Sequence, residues 1–399
     1  MMIRKLFSAS AVNAIGAVIS YSLVVFLARL GSDGSYGDFL YTLTWALVIG
    51  SFLDFAAEAV FAKYAQHEDS LKQALSVVLS LRAIGMLLVI IFFLLANFYK
   101  DTLNFKLFLL MVPIFYIGPL FEYLNKNLTF VVILLAEKLV MFSLIYLLTV
   151  EQGFSDIIYI IYFFANCLSL ALQIFLLRKD LGIIKVGILS AIGDYMSLYY
   201  GMFFVLQLHL VYGYFTRFII ESRNGIEAFA SVAIALQMIN ATSLFQSQVD
   251  RSFRMPIFVA VTKYCSRDAK LALMRYFLFT TFPILIGCAV IFFGAEIIGG
   301  LFFPEGYEGL ILALKILSLT PLSVNLIRLG DALFTALHRV KVNMYITLAA
   351  VCALLLVTLS EAGVPYSVYL FYLVIVQLSH GLCSVLFGLW LYYSVRTKT

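Results

Sequence analysis

Charged residues are scarce in this 399-residue sequence: they make up 12% of it, whereas hydrophobic residues make up 63%. An average soluble domain is only about 45–50% apolar even when glycine is counted, so a soluble globular protein is excluded. The net charge of +5 is small and its cations are dispersed, which excludes the concentrated basic patch of a nucleic-acid-binding protein. The composition therefore predicts a polytopic membrane protein.

Cysteine is also rare, and no two of its positions form a CxxC pair. The five cysteines are Cys167, Cys265, Cys288, Cys352 and Cys383. Four of them lie in apolar runs, where cysteine acts as a small buried hydrophobic residue, so neither a disulfide framework nor a metal site is expected.

The sequence contains no Gly-rich phosphate loop, HExxH motif or GxSxG motif. These absences predict a protein that is not an enzyme and that has no cofactor.

Long apolar runs fill most of the chain. Windows of about 19 residues predict an all-α membrane protein with twelve transmembrane helices. The predicted spans lie near 10–29, 38–62, 73–98, 107–124, 128–150, 157–177, 188–216, 228–249, 271–294, 310–337, 342–359 and 366–393. The opening segment MMIRKLFSASAV has two cations but no convincing cleavage site, so we interpret it as the start of the first span.

The distribution of cations predicts the orientation in the membrane. On this map, most of the 27 Lys and Arg residues lie on one set of loops and ends. By the positive-inside rule that side is cytoplasmic, which places both termini in the cytoplasm. The largest connection on that side, 250–270, is partly apolar and predicts a helix lying in the membrane interface.

The cytoplasmic linker RKDLGIIKVG after the sixth span divides the chain into two predicted lobes, 1–180 and 181–399, of six helices each. A faint internal repeat agrees with this division. Arg29 precedes Gly37 by eight residues before the second span, and Arg217 stands at the same interval before Gly225. Such a repeat is typical of a duplicated transporter-like lobe.

Several ionisable side chains lie inside predicted spans. At the bilayer centre each costs roughly 2.5–3.5 kcal/mol, so it has to face protein or a watery cavity. Asp54 and Glu58 share one face of the second span, and Arg82 lies at the depth of Asp54 in the third. This placement predicts an ion pair between Asp54 and Arg82. The pair is either a structural lock, which we favour, or a proton-sensitive contact that opens during function.

The tenth span carries three further charges. Arg328 and Asp331 are spaced i,i+3, so we expect them to satisfy each other. Lys315 has no acid nearby in the sequence; it either snorkels to the interface or faces a cavity. Glu137 and Lys138 in the fifth span are adjacent and therefore point in different directions, so they cannot pair with each other.

Uncharged polar residues mark two other spans. Asn13 belongs to a stripe of small and polar residues in the first span, and Gln237, Asn240 and Ser247 share a face of the eighth. Such stripes fit either tight helix packing or the wall of a water-filled cavity. We favour the cavity for the eighth span and leave the first open. His209, near an outer helix end, is expected to be an interfacial hydrogen-bonded residue rather than a proton relay.

Three segments carry a family resemblance: LARLGSDGSYGDF at 27–39, LDFAAEAVFAKYA at 53–65 and FFPEGYEGLILALKIL at 302–317. They are similar to passages of the polysaccharide-unit flippases (Wzx-type, O-antigen exporters) of the multidrug/oligosaccharidyl-lipid/polysaccharide exporter superfamily. The resemblance spans the whole chain. It implies two pseudo-symmetric six-helix lobes around a central cavity, in a protein of the bacterial inner membrane that alternates between inward- and outward-open states.

The resemblance also implies a substrate, an undecaprenyl-pyrophosphate-linked oligosaccharide moved from the cytoplasmic to the periplasmic leaflet. H+ or Na+ would be the coupling ion, and a polysaccharide polymerase would be a further partner. A pyrophosphate needs cations, best arginines that make forked contacts. The candidate substrate-binding residues are Arg29, Arg82, Arg217, Arg254, Lys315, Arg328, Asn13 and Asn240. The candidate ion-coupling residues are Asp54, Glu58 and Asp194.

Three alternatives stay open. A cation-coupled multidrug exporter of the same superfamily should favour acids over cations in its cavity. A flippase for lipid-linked peptidoglycan precursors usually has two further helices. A membrane glycosyltransferase would place catalytic acids in its first outer loop, where Asp33 and Asp38 lie.

Overall fold

The computed structural model describes residues 2–31, 34–53, 78–91, 94, 105–124, 126–149, 154–181, 203–262, 266–303, 308–337, 339–360 and 363–396. Within these ranges the regular structure is helical throughout, and no strand occurs. Seven of the described helices are long and apolar enough to cross a membrane. The predicted all-helical membrane architecture therefore agrees with the part of the chain that is described.

The described residues of the first half of the chain form seven α-helices. They are α1 (Met2–Leu30), α2 (Ser35–Leu53), α3 (Val78–Ile91), α4 (Lys106–Leu109), α5 (Gly118–Tyr123), α6 (Asn127–Thr149) and α7 (Ile157–Leu181). A 3-10 turn at Val112–Phe115 separates α4 from α5. The fourth predicted span is therefore a broken helix rather than a continuous one. Pro113 lies in the 3-10 turn, and proline lacks the backbone N–H that a continuous helix would use there.

In the second half, the described residues form eight α-helices and two π-helical segments. They are α8 (203–210), the π segment Val211–Phe215, α9 (Thr216–Thr262), α10 (Ser266–Tyr276), the π segment Phe277–Thr281, α11 (Phe282–Phe302), α12 (Glu308–Leu317), α13 (Thr320–Ala336), α14 (Val340–Ser360) and α15 (Tyr366–Arg396). The interfacial helix predicted at 250–270 is not a separate element, because α9 continues to Thr262 before α10 begins.

Two local sequence features explain where these helices stop. Pro321 occupies the first turn of α13, and the predicted tenth span is split there into α12 and α13. A proline has no N–H to donate, so it is favoured at a helix start. Gly225 has a φ of +86° inside α9, a conformation that glycine adopts without strain. Gly225 thus divides α9 into two helical stretches.

Two glycines with a positive φ stand directly before helical stretches. Gly34, with a φ of +94°, directly precedes α2, and Gly225 directly precedes the second stretch of α9. The internal repeat expected from Arg29 with Gly37 and Arg217 with Gly225 stays a prediction. Gly37 has another role: a Cβ there would lie 3.0 Å from Ile226 Cγ1, so the two helix starts pack closely.

The chain forms two compact units, one of Met1–Asp38 with Leu208–Thr399 and the other of Phe39–Gln207. We call them the first and the second unit. This grouping differs from the lobes expected at 1–180 and 181–399, and that lobe boundary stays a prediction.

Helices α13 and α15 form the core of the first unit, and small residues allow them to approach closely. A Cβ on Gly381 of α15 would lie 2.7 Å from Leu326 Cβ and 3.2 Å from the Ser323 carbonyl oxygen of α13. Gly330 of α13 meets Ser384 of α15 in the same way. Close backbone approach at small residues is the usual packing of membrane helices, and it fixes the side chains that lie between them.

Candidate functional site

Two histidines and a tyrosine meet inside the first unit. The ring centroids of His209 and His380 are 5.7 Å apart, and that of Tyr212 lies 6.3 Å from His209 and 5.6 Å from His380. Tyr212 and His380 are each only 2% exposed. With Thr347, which contacts His380, these residues form what we call the histidine cluster.

The backbone brings the cluster together through a widened helical turn. His209 lies near the end of α8, and Tyr212 lies within the π segment Val211–Phe215 that follows. Such π segments re-aim side chains and occur often at functional sites. His380 comes from α15, whose position is fixed by the close packing at Gly381. Sequence spacing alone places His209 near a helix end and gives no sign of this widened turn.

A hydrogen-bonded chain links the cluster to an acid. Asn343 of α14 donates from Nδ2 to Asp331 Oδ1 at 2.6 Å. One turn later, the Thr347 hydroxyl donates to the Asn343 carbonyl at 2.9 Å and lies 3.2 Å from His380 Nε2. The hydroxyl has a single proton, so His380 Nε2 has to be the donor in the last contact. In a neutral His380, Nδ1 then carries the free lone pair.

Four buried atoms of this region have no hydrogen-bond partner among the residues that the structure describes: His209 Nε2, Tyr212 Oη, Asn343 Oδ1 and His380 Nδ1. Most buried polar atoms in proteins are hydrogen-bonded. Their concentration at one place therefore gives the site the capacity to take up a further proton or a small polar ligand. The described residues contain no group of three His, Cys, Asp or Glu side chains that could hold a metal ion.

The site carries opposed charges. Asp331 and Arg328 of α13 both act electrostatically on the His209 ring. The centroid separation of 5.7 Å also sets the cost of charging both rings. With an effective dielectric constant of about 20, two positive charges at that distance repel each other by about 3 kcal/mol. The geometry thus favours one charged imidazole over two.

The expected pairing of Arg328 with Asp331 is wrong. Asp331 is bonded to Asn343, and the part of the chain that the structure describes contains no ion pair between Arg328 and Asp331. Their i,i+3 spacing puts them on one face of α13, yet this spacing alone does not bring the two charged ends together. Arg328 is half-buried beside the histidine cluster.

The second unit contains another buried polar network, built around the gap between the 3-10 turn and α5. There Arg82 Nη1 donates to the Tyr116 carbonyl at 3.0 Å, and the Ile117 N–H donates to Gln173 Oε1 at 3.0 Å. Arg82 is 2% exposed. Backbone groups freed by a broken membrane helix have no water to bond to, so these two side chains replace the missing helical hydrogen bonds. We call residues 116–117 with Arg82 and Gln173 the helix break.

Glu137 lies beside the helix break. The Tyr116 hydroxyl is 2.6 Å from Glu137 Oε2 and 3.0 Å from Asn166 Oδ1. A hydroxyl with one proton can donate to only one of these oxygens, and the shorter distance is to the carboxylate. The sequence predicts that Glu137 does not pair with Lys138, but it does not predict that Tyr116 is the partner of Glu137. Asp54, predicted to pair with Arg82, lies outside the described residues.

Arg29 is bound to a helix end. Its Nε and Nη2 donate to the carbonyls of Phe302 and Leu301, each at 3.1 Å, at the C-terminus of α11. Arg223 makes a similar contact with α14, donating to the Thr358 carbonyl at 3.0 Å. Cations stabilise helix C-termini in this way. Arg29 and Arg223 therefore make the same kind of contact within the first unit.

Lys315 and Arg217 both have partners that the sequence did not indicate. Lys315 Nζ lies 2.6 Å from Glu296 Oε1 of α11, so it faces no cavity as a free cation; this partly exposed pair is compatible with a snorkelling lysine. Arg217 is the second residue of α9, with its guanidinium 4.9 Å from the Tyr214 ring centroid. A cation–π contact of this kind leaves the guanidinium donors available to other groups.

The remaining candidates are partly described. Asn240 is exposed on α9, one turn after Gln237, whose Oε1 accepts a 3.4 Å hydrogen bond from the Tyr36 hydroxyl. The backbones of Asn13 and Arg254 are helical; their side chains lie outside the described set. Three candidate coupling residues also lie outside the described residues: Asp54, Glu58 and Asp194.

Comparison with known proteins identifies the fold. No protein-family model matches the chain, and no curated protein matches it. Solved structures do match. An inward-facing multidrug resistance MATE family transporter of the MOP superfamily is 12% identical, with a TM-score of 0.63 over 99% of this chain and 95% of that chain. The outward-facing conformation of such a transporter is 13% identical, with a TM-score of 0.64 over 99% and 96%.

A third solved structure shares the fold. It is a MOP superfamily transporter from Pyrococcus furiosus Vc1, described as having a binding pocket of reverse polarity that suggests a different function. It is 14% identical, with a TM-score of 0.62 over 99% of this chain and 96% of that chain. At such identities the likeness shows the fold. That MATE-like fold has twelve transmembrane helices in two lobes, which confirms the predicted fold class.

Proposed function

We propose that this protein is an alternating-access transporter of the bacterial inner membrane that flips an undecaprenyl-pyrophosphate-linked oligosaccharide. The glycan would move from the cytoplasmic to the periplasmic leaflet, coupled to an ion gradient, with both termini in the cytoplasm. The fold supports the transport cycle, because it is shared by structures described as inward-facing and outward-facing. The family resemblance at 27–39 and 302–317 supports the glycan substrate.

The observation that carries the proposal is the state of Arg328. A charged side chain inside a membrane span is costly and is retained where it has a function. Among the described residues Arg328 makes no ion pair with Asp331, its expected partner, and Asp331 accepts a hydrogen bond from Asn343. A half-buried arginine without a carboxylate partner in the described part of the chain suits a phosphate oxygen, to which its planar fork can donate two parallel hydrogen bonds.

Arg217 is the second arginine that we assign to the substrate. Its guanidinium rests on the Tyr214 ring, which orients it without neutralising its charge. The other described cations of the candidate set are more engaged with protein: Arg29 binds two helix carbonyls, Arg82 binds the Tyr116 carbonyl, and Lys315 pairs with Glu296. Arg254, Asn13 and Asn240 remain candidates from the sequence.

A cation-coupled multidrug exporter is the second candidate function, because two of the matched structures are described as multidrug resistance transporters. The fold alone does not decide between these functions. The Pyrococcus furiosus transporter, described as having a binding pocket of reverse polarity, illustrates that pocket charge varies within this fold. Arg328, which has no ion-pair partner in the described part of the chain, would repel a cationic drug, so the multidrug function would need this charge to be neutralised.

The test is glycan export in a strain that lacks the chromosomal copy of this protein. We expect wild-type protein to restore surface glycan, Arg328→Ala to abolish it and Arg328→Lys to restore it partly, since lysine keeps the charge but not the fork. Arg339→Ala, at an exposed position just outside α13, is the matched control and should export normally. Normal export by Arg328→Ala at equal protein level would contradict the proposal.

The same strain separates the two functions. A deletion that leaves surface glycan intact but makes the cells sensitive to cationic drugs would support the multidrug exporter. A deletion that removes surface glycan and makes lipid-linked oligosaccharide accumulate in the cytoplasmic leaflet would support the flippase.

A further inference from the structure

We propose that His209 and His380 form a one-proton site, and that protonation of this site couples H+ movement to the transport cycle. The inference rests on the proposed transport function and deepens it by naming the coupling ion and its residues. The coupling residues expected from the sequence were carboxylates. Those carboxylates lie outside the described residues, and the structure places an imidazole pair in the first unit, with ring centroids 5.7 Å apart.

The pair has atoms that can accept a proton. The Thr347 hydroxyl is committed to the Asn343 carbonyl, so His380 Nε2 donates to Thr347 and His380 Nδ1 keeps a lone pair. That Nδ1 and His209 Nε2 are both buried without a hydrogen-bond partner in the described part of the chain. A histidine with a purely structural role would ordinarily use its buried ring nitrogens in hydrogen bonds.

The groups around the pair limit it to one proton. Burial opposes a charge on either ring, whereas Asp331 of α13 favours a positive His209 ring and Arg328 of α13 opposes it. From α14, Asn343 and Thr347 contribute neutral polar groups, and the π segment contributes the Tyr212 hydroxyl. A positive charge on one imidazole opposes a second charge on the other, because the ring centroids are only 5.7 Å apart. Two interacting sites of this kind titrate as a pair, and uptake of the first proton suppresses uptake of the second.

Protonation changes what the site can bond to. A proton on His380 Nδ1 converts an acceptor into a donor, while Asn343 Oδ1 and Tyr212 Oη of the same region are oxygens without a described partner. The residues involved come from α8, the π segment, α14 and α15. A change in hydrogen bonding here therefore acts on the packing of several helices, as a coupling site requires.

The chemistry favours H+ over Na+. A bound alkali cation needs several oxygen ligands, whereas imidazole nitrogens and the nearby Arg328 charge are unsuited to it. Imidazole nitrogen also binds transition metals, but the described residues contain no group of three metal-binding side chains. A proton needs only one lone pair, which His380 Nδ1 supplies.

Proton uptake by the purified full-length protein tests the site directly. The chain has 4 histidines, so the measurement starts from a His67→Gln/His338→Gln background that retains only the pair. Between pH 8 and pH 5.5, this background should take up about one proton more per molecule than the same protein with His209→Asn and His380→Gln added. Equal uptake, or a difference of about two protons, would overturn the one-proton site.

Two further samples keep this measurement interpretable. Tyr345→Phe in the same background alters an exposed side chain of α14 outside the histidine cluster, so it should retain the extra proton. If the quadruple variant does not fold, histidine-selective NMR of the background protein reports the same property. We expect the two imidazoles to show linked titration steps. Two independent titrations, or none, would overturn the proposal.

The coupling is tested in proteoliposomes with a fluorescent lipid-linked oligosaccharide. A gradient of one pH unit should shift the transmembrane distribution of substrate about tenfold per coupled proton for wild-type protein, and the His209→Asn/His380→Gln variant should lose this shift. A variant that keeps the wild-type shift would overturn the coupling.

The outcomes for the two proposals are distinguishable. Wild-type protein that moves no oligosaccharide under any gradient would refute the proposed substrate. Transport of a cationic drug would then be measured for wild-type protein and for the His209→Asn/His380→Gln variant. Loss of the pH-driven shift in the variant would uphold the histidine coupling. The proton-uptake measurement needs no substrate and stands in either case.

Discussion

Asn343 donates a 2.6 Å hydrogen bond to Oδ1 of Asp331, the residue that helix spacing predicts as the partner of Arg328. The two partners lie on neighbouring helices, α14 and α13, close to the turn that joins them. A pair between Arg328 and Asp331 would neutralise both charges within one helix. The contact with Asn343 instead keeps an acid and a base apart, beside a pair of histidines.

Replacing Asn343 by leucine should release Asp331. We expect the freed carboxylate to turn to Arg328 on the same helix face, because an i,i+3 pair is the nearest alternative. Glycan export measured on the cell surface should then fall as in Arg328→Ala. Adding Asp331→Asn to Asn343→Leu should restore export, since Arg328 is again unpaired. Normal export by the single variant would show that Asn343 does not hold the charges apart.

Gly381 should tolerate no side chain, whereas Gly287 should. A Cβ on Gly381 would press on Leu326 and on the backbone of α13, and forcing two packed helices apart costs about 1–3 kcal/mol. Nothing lies within 4 Å of a Cβ on Gly287 in α11, so Gly287→Ala should be neutral or slightly stabilising. Thermal unfolding of the two alanine variants in detergent checks this. Equal midpoints would contradict the close α13–α15 contact.

Gln173→Met should weaken the second unit at the helix break. The variant keeps the side-chain length but leaves the Ile117 N–H without its acceptor, a loss worth about 1–3 kcal/mol for a buried donor. Leu172→Met, an exposed position on the same helix, is the matched control. Thermal unfolding of the two variants in detergent checks this. A midpoint for Gln173→Met equal to that of the control would contradict the assigned role.

The uniform apolar spans were predictable from the sequence. The spans expected at 128–150, 342–359 and 366–393 end within a few residues of α6, α14 and α15. Bilayer thickness sets the length of such helices and lipid accepts apolar residues on every face, so composition alone locates them. The positions of these spans do not depend on which other helices pack against them.

Breaks in helices and long-range partners were not predictable in the same way. Pro321 marks a helix start, yet the apolar run continues through it and favours one continuous span. Residues 116–117 break a helix only because Arg82 and Gln173 satisfy their backbone groups, and these come from α3 and α7. The histidine cluster likewise joins α8 to α15. Such contacts depend on packing, which one sequence without its fold does not contain.

Arg29 and Arg223 should matter for stability more than for export. Each donates to the last carbonyls of another helix, and a cation at a helix C-terminus contributes about 0.3–1 kcal/mol. Arg29→Ala and Arg223→Ala should therefore lower the unfolding midpoint in detergent while the amount of glycan exported per molecule stays near wild type. Arg267→Ala removes an exposed cation from the first turn of α10 and should change neither quantity. Loss of export by Arg29→Ala at an unchanged midpoint would instead return Arg29 to the substrate-binding residues, because helix capping could not then explain the defect.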